Sequence, residues 1–177
     1  MTGAHAIPAR APRTRALTLA LYWGSLASGL LLPLLIQFLV EMRRQGGTFA
    51  QTFEASFDAF FLRLFAPGDG TLFVSLIGAA PFAVYAVFTL FHLGTAPRHG
   101  SRVVRRRRFA VLASFVSMLA VSAWGLHAIA SSSSSTAALG YLVLPAYVLV
   151  AMLLGYGFGA LLALRLDRRA RPEHTPL

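Results

Sequence analysis

Residues 140–164 read GYLVLPAYVLVAMLLGYGFGALLAL and contain no Asp, Glu, Lys or Arg. A helix needs about 20 consecutive apolar residues to cross the hydrocarbon core of a bilayer, because each residue adds only about 1.5 Å along its axis. A soluble core does not need an uninterrupted apolar run of this length. The stretch therefore predicts a transmembrane helix.

Three further charge-free runs precede this stretch, at residues 16–40, 71–93 and 109–130. The chain is 56% hydrophobic and 12% charged, with a mean hydropathy of +0.65, whereas soluble domains carry about 25% charged residues. The first run is too long for a signal peptide, and no small-residue cleavage site follows it. We predict an all-α integral membrane protein with four transmembrane helices, of which 16–40 is an uncleaved signal anchor.

The basic residues predict the orientation of these spans. All sixteen are Arg, and the net charge is +10. Thirteen lie in residues 1–15, in the connection 94–108 or in the tail 165–177, while the connection 131–139 carries no charge. Because cytoplasmic loops collect basic residues, we expect a disordered cytoplasmic N-terminus, an Arg-rich cytoplasmic loop and a cytoplasmic tail. Three arginines fall on the external side instead, and these are Arg43, Arg44 and Arg63.

Two expectations about surroundings follow from the same charges. Topology explains the positive charge, so we expect no nucleic-acid partner. The exclusive use of Arg, with no Lys, favours a bacterial inner membrane as the location.

The connection between the first two spans has a helical pattern of its own. Phenylalanines recur every four residues at Phe49, Phe53, Phe57 and Phe61, and polar residues occupy the other positions. Thr48 with Gln51 fits a capping box before this pattern, and Pro-Gly-Asp-Gly at 67–70 ends it. We predict an amphipathic interfacial helix over 49–65 on the external side, with its Phe face in lipid or against the bundle.

Small residues spaced four apart predict close helix contacts. The fourth span contains Gly155 and Gly159, and the first contains Gly24 with Ser28 and also Ser25 with Gly29. Such spacing makes a flat groove in which another helix packs. The occupant is a helix of the same bundle, another membrane protein or a second copy of the chain. Prolines inside three spans predict kinks, at Pro33, Pro81 and Pro145.

Basic and aromatic residues mark the ends of the spans. Arg105, Arg106, Arg107 and Arg108 directly precede the third span, and a basic residue there gains about 1 kcal/mol from anionic headgroups. We therefore predict that these four contact anionic lipid. Trp124 and Tyr141 are expected in the interfacial aromatic belt, whereas two deeper aromatic residues are expected in helix contacts, namely Trp23 and Tyr147.

Candidates for chemistry are few. No acidic residue lies in a span, which disfavours a proton-coupled transporter. His92 and His127 are titratable, but they lie near opposite membrane faces and cannot share a metal. Ser122 and His127 are five residues apart on one helix and do not share a face, and the chain has no Cys. We therefore predict no catalytic residue, no metal and no cofactor.

Without a predicted catalytic residue, metal or cofactor, the function that we expect is binding. We expect a non-catalytic inner-membrane protein that binds a partner, as an accessory subunit or as an immunity-type factor. The predicted Phe-rich helix and the small-residue faces offer binding surface without reactive groups. The alternatives are a small pore, permease or lipid-handling protein, and, less favoured, an intramembrane enzyme.

Overall fold

A computed structural model describes residues 12–46, 71–95, 101–132 and 137–169, together with Phe53, Phe57, Asp58 and Leu62. Four long helices make up this part of the chain. All four are long and apolar enough to cross a membrane, which indicates a multi-pass membrane protein. Their bounds are α1 Pro12–Gln45, α2 Thr71–Gly94, α3 Ser101–Ser131 and α4 Ala137–Arg169.

The helices include the predicted spans and extend past them. α1 begins at Pro12, a residue that suits the first helical position, rather than after a lead-in of fifteen residues. α3 begins at Ser101, so most of the predicted Arg-rich loop is helical. With 31 residues, α3 is about 46 Å long, while the hydrocarbon core is only about 30 Å thick. The arginines of its first turns therefore lie on the helix itself, in the part that exceeds the length needed to cross the hydrocarbon core.

Neighbouring helices run antiparallel in two close pairs. In the first pair, Gly29 of α1 lies against Ala79 and Phe82 of α2. In the second pair, α3 packs along the whole length of α4. Further contacts join α1 to α3, and α2 to both α3 and α4, which closes the bundle. We call the end that holds Gly94, Ser101 and Arg169 the arginine end, and the other the opposite end.

Glycines set the close approach of α3 and α4. A Cβ atom at Gly155 would lie 2.8 Å from the Ala113 carbonyl oxygen, and one at Gly159 would lie 2.6 Å from the Phe109 carbonyl oxygen. Because these neighbours are backbone atoms, a side chain could fit only if the helices moved apart. Nearer the opposite end, Gly125 and Gly140 lie against side-chain atoms of Leu144 and Ile129.

Large side chains fill the middle of the bundle. Phe82 and Tyr85 of α2, Met118 of α3 and Val148 of α4 are almost fully buried. The Tyr85 hydroxyl donates a hydrogen bond of 2.8 Å to the Val111 carbonyl oxygen, and the Ser114 hydroxyl donates one of 2.6 Å to that of Met152. Both buried hydroxyls are therefore satisfied by the backbone, as an apolar surrounding requires.

The helix prolines lie close to a small internal cavity. Pro33 and Pro145 line it with Gly78 and with the buried side chains of Phe82 and Val148. Its volume is about 10 Å³, which is about the space of one water molecule.

The predicted interfacial helix 49–65 lies outside the described residues except for four positions. Two of its phenylalanines are among them. The Phe53 ring lies 5.5 Å from the ring of Phe38 on α1 in an edge-to-face arrangement, and 5.9 Å from the Phe57 ring in a stacked one. Phe53 therefore lies against the opposite end of α1, and the helix itself stays a prediction.

Candidate anion-binding groove

The first turns of α3 bring basic side chains next to the last turns of α4. Arg102 and Arg106 are four residues apart, and such a spacing puts both on one face of the helix. On the neighbouring helix, Arg168 lies in the final turn. These three arginines line one groove of about 420 Å³ at the arginine end. Its other lining residues are Val103, Leu164 and Asp167.

An ion pair closes one side of the groove. The Arg105 guanidinium contacts the Asp167 carboxylate and so joins α3 to α4. Asp167 is the one acidic residue of the lining, and Arg105 balances its charge. The charges of Arg102, Arg106 and Arg168 therefore dominate the groove.

The other two arginines of the run have partners inside the chain. The Arg107 Nη1 atom donates to the His92 carbonyl oxygen at 3.2 Å and to the Thr95 hydroxyl at 3.1 Å. A cation that binds the last carbonyls of a helix stabilises its C-terminus, so Arg107 caps α2. Arg108 is half-buried and also has a partner in the chain. Of the four predicted lipid contacts, only Arg106 lines the groove.

The sequence prediction missed Arg102 and Arg168. The short connection 131–139 contained a signal for them, because it makes the third and fourth helices antiparallel neighbours. The start of α3 and the end of α4 then meet at one end of the bundle. A search for basic residues at both of these helix ends would have found the groove.

An aromatic cluster lies beside α2 at the same end. The Tyr156 hydroxyl lies 2.7 Å from the His92 Nε2 atom. The His92 ring also stacks on Phe88 at 5.1 Å, and the Tyr156 ring meets Phe88 edge to face. Within the described ranges, no three His, Cys, Asp or Glu side chains lie close enough to hold a metal. His92 thus joins α2 to α4 in this structure.

The two residues considered for serine chemistry point in different directions. Ser122 is buried in the bundle, whereas His127 is exposed. Five residues place them about 140° apart around a helix. The structure therefore does not bring them together.

The two small-residue spacings of α1 have different surroundings. Ser25 and Gly29 are buried, and a Cβ at Gly29 would lie 2.9 Å from the Cβ of Phe82 on α2. A Cβ at Gly24 would meet nothing within 4 Å, and Ser28 is only half-buried. The face of Gly24 and Ser28 is therefore open, while the Gly155 and Gly159 face of α4 is filled by α3.

Two aromatic residues that were expected in helix contacts do not pack inside the described bundle. Trp23 and Tyr147 were expected in helix contacts, but they are 64% and 63% exposed on the outer face. Trp23 lies two positions from the buried Ser25, which places it about 200° around the helix. Depth in the span therefore said nothing about which face of the helix carried the residue.

An external arginine of the predicted topology has a clear structural role. The Arg44 Nη2 atom donates a hydrogen bond of 2.8 Å to the Ala130 carbonyl oxygen. Ala130 lies in the last turn of α3, so this arginine caps α3 at the opposite end just as Arg107 caps α2. Helix capping therefore accounts for a basic residue on the less basic side.

The fold and the groove define the class of protein. In the part of the chain that the structure describes, it is all-helical, with four candidate membrane-spanning helices and a basic groove at one end. No protein-family model, curated protein or solved structure matches the chain.

Proposed function

We propose that the chain is a non-catalytic protein of a bacterial inner membrane that binds another membrane protein, as an accessory subunit or an immunity-type factor. In this proposal the arginine end faces the cytoplasm, as basic loops do. The observation that carries the proposal is the open small-residue face of α1. A Cβ atom at Gly24 would meet nothing within 4 Å, whereas Gly155 and Gly159 of α4 lie against α3.

The open face of α1 has the chemistry of a helix-binding surface. Transmembrane helices associate through small residues, because these let two backbones approach closely. α1 is also the least buried of the four candidate spans, at 22% of its apolar window, against 39% for α3. A transmembrane helix of a partner would fit along Gly24 and Ser28. Trp23, exposed beside this face, would add a large contact area.

The test compares two glycines that both lie in open space. Gly24→Leu fills the proposed groove, and Gly157→Leu makes the same change on α4, where a Cβ also meets nothing within 4 Å. The chain is purified in mild detergent from its own host at native expression, and co-purified proteins are identified by mass spectrometry. We expect a stoichiometric partner with the native chain, at least tenfold less with Gly24→Leu, and an unchanged amount with Gly157→Leu.

Two outcomes would contradict the proposal. One is equal recovery of the partner with both variants, which would remove the Gly24 face from the interaction. The other is recovery of a self-oligomer with lipid alone. The pore or permease alternative rests on Pro33 and Pro145, which line the small cavity, and it would then need a conducting centre between chains.

A further inference from the structure

The groove at the arginine end has the features of a specific site rather than of a general basic surface. Three guanidinium groups come from two helices, and two apolar side chains, Val103 and Leu164, line the groove with them. We propose that this groove binds one anionic phospholipid, with Arg102, Arg106 and Arg168 around the headgroup and Leu164 against the beginning of the acyl chains. This inference goes beyond the proposed protein partner and does not depend on it.

The positive charges of the groove favour a lipid headgroup that is negative overall. Arg105 balances Asp167, which leaves three positive groups facing the groove. A guanidinium is planar and binds two phosphate oxygens at once. A zwitterionic headgroup carries its own cation, which these arginines would repel, so phosphatidylglycerol fits better than phosphatidylcholine.

The depth of the groove matches the headgroup layer. The charge-free run of α3 begins at Phe109, and Arg106 and Arg102 lie about 5 Å and 10 Å beyond it along the axis. On α4, Leu164 is the last residue of the charge-free run, and Arg168 lies one turn further. The headgroup region adds about 5 to 8 Å on each side of the hydrocarbon core. Leu164 therefore lies at the acyl side of the groove and Arg106 within the headgroup layer, whereas the backbone of Arg102 lies just beyond the outer edge of that layer.

The groove arginines differ from their neighbours in what they contact. Arg105 and Arg107 are bound within the chain, to Asp167 and to the end of α2. Arg168 lines the groove, whereas Arg169, also exposed, does not. The proposal therefore separates two adjacent arginines of equal charge, and a purely electrostatic attraction to the membrane would not.

The experiment uses this adjacent pair. The full chain is purified in detergent and titrated with phosphatidylglycerol or phosphatidylcholine, and bound lipids are counted by native mass spectrometry. We expect one tightly bound phosphatidylglycerol and at least tenfold weaker binding of phosphatidylcholine. Arg168→Gln should weaken binding of phosphatidylglycerol about fivefold, the usual effect of one basic residue. Arg169→Gln should leave the affinity within about twofold, because Arg169 lies outside the groove.

A second comparison protects the test against unfolding of one variant. Arg102→Gln with Arg106→Gln should weaken binding about thirtyfold, and Arg102→Lys with Arg106→Lys should weaken it less, because Lys keeps the charge but not the planar pair of donors. Circular dichroism confirms that each variant keeps its helices.

Three results would overturn the proposal. The first is an equal loss with Arg168→Gln and Arg169→Gln. The second is equal affinity for the two lipids. The third is displacement of phosphatidylglycerol by millimolar inorganic phosphate at constant ionic strength, which would make the groove a site for free phosphate.

Discussion

At the scale of single residues, three glycines of α4 occupy opposite environments within one turn and a half. Gly155 and Gly159 lie against α3, whereas Gly157 lies in open space. Gly159→Ala should lower the free energy of unfolding by about 1 to 3 kcal/mol, because its Cβ would meet backbone atoms of α3 and force the helices apart. The measurement is thermal or detergent-induced unfolding of the purified chain, followed by circular dichroism.

Gly157→Ala is the control for helix propensity. Its Cβ meets nothing within 4 Å, and alanine is favoured over glycine in a helix by up to about 1 kcal/mol. This variant should therefore be as stable as the native chain or more so. If the two substitutions gave the same midpoint, close packing at Gly159 would not contribute to stability.

The sequence predicted two alternative packing faces for the first span and could not decide between them. Two spacings of small residues in the first span, Gly24 with Ser28 and Ser25 with Gly29, differ by one position, or about 100° around the helix. Both satisfy the same sequence rule. The choice between them depends on Ala79 and Phe82 of α2, which lie against Gly29. Such a contact is set by another helix and cannot be read from the first span alone.

At the scale of elements, arginines cap helices at both ends of the bundle. Arg107 binds the last turn of α2, and Arg44 binds the last turn of α3. Arg107→Gln should loosen the end of α2, and amide hydrogens of residues 91–95 should exchange about fivefold faster, as expected for a loss of about 1 kcal/mol. The measurement is hydrogen exchange of the purified chain, read by mass spectrometry of peptides from α2.

Arg106→Gln is the matched control, because it removes the same charge from the adjacent residue. Arg106 lines the groove with Leu164 and Arg168 of α4. Exchange of residues 91–95 should be unchanged in this variant. Faster exchange in both variants would mean that the total charge of the arginine run, and not a cap, holds the end of α2.

The sequence predicted the existence of each helix better than its ends. Apolar runs decided the spans, because a bilayer leaves few alternatives to a helix of about 20 residues. The same rule makes no prediction about the charged residues on either side of each apolar run. Arg102 and Arg105 to Arg108 were expected in a loop, yet they continue α3 because nothing between Ser101 and Phe109 breaks a helix. The groove depends on this continuation, since a loop would not hold two arginines on one face.

At the scale of the whole molecule, the fold combines antiparallel pairs with an uneven charge. Arg102, Arg106, Arg168 and Arg169 all lie at the arginine end. The opposite end has basic residues too, and Arg44 caps a helix there. Charge counts from the sequence alone treated that arginine as discordant. Because Arg44 has a structural role, its position does not count against the orientation that the positive-inside bias predicts.

This orientation can be tested directly, because the chain has no cysteine of its own. Single cysteines replace Ser132, which is exposed at the opposite end, or Thr95, which is exposed at the arginine end. A membrane-impermeant maleimide should label Ser132→Cys in intact spheroplasts and should label Thr95→Cys only after permeabilisation. The physical reason is that translocating the arginine end would carry many guanidinium groups across the bilayer, and each is costly at its centre. Labelling of Thr95→Cys in intact spheroplasts would show that the topology is the reverse of the predicted one. The groove would then face the external leaflet, and the lipid it binds would have to come from there.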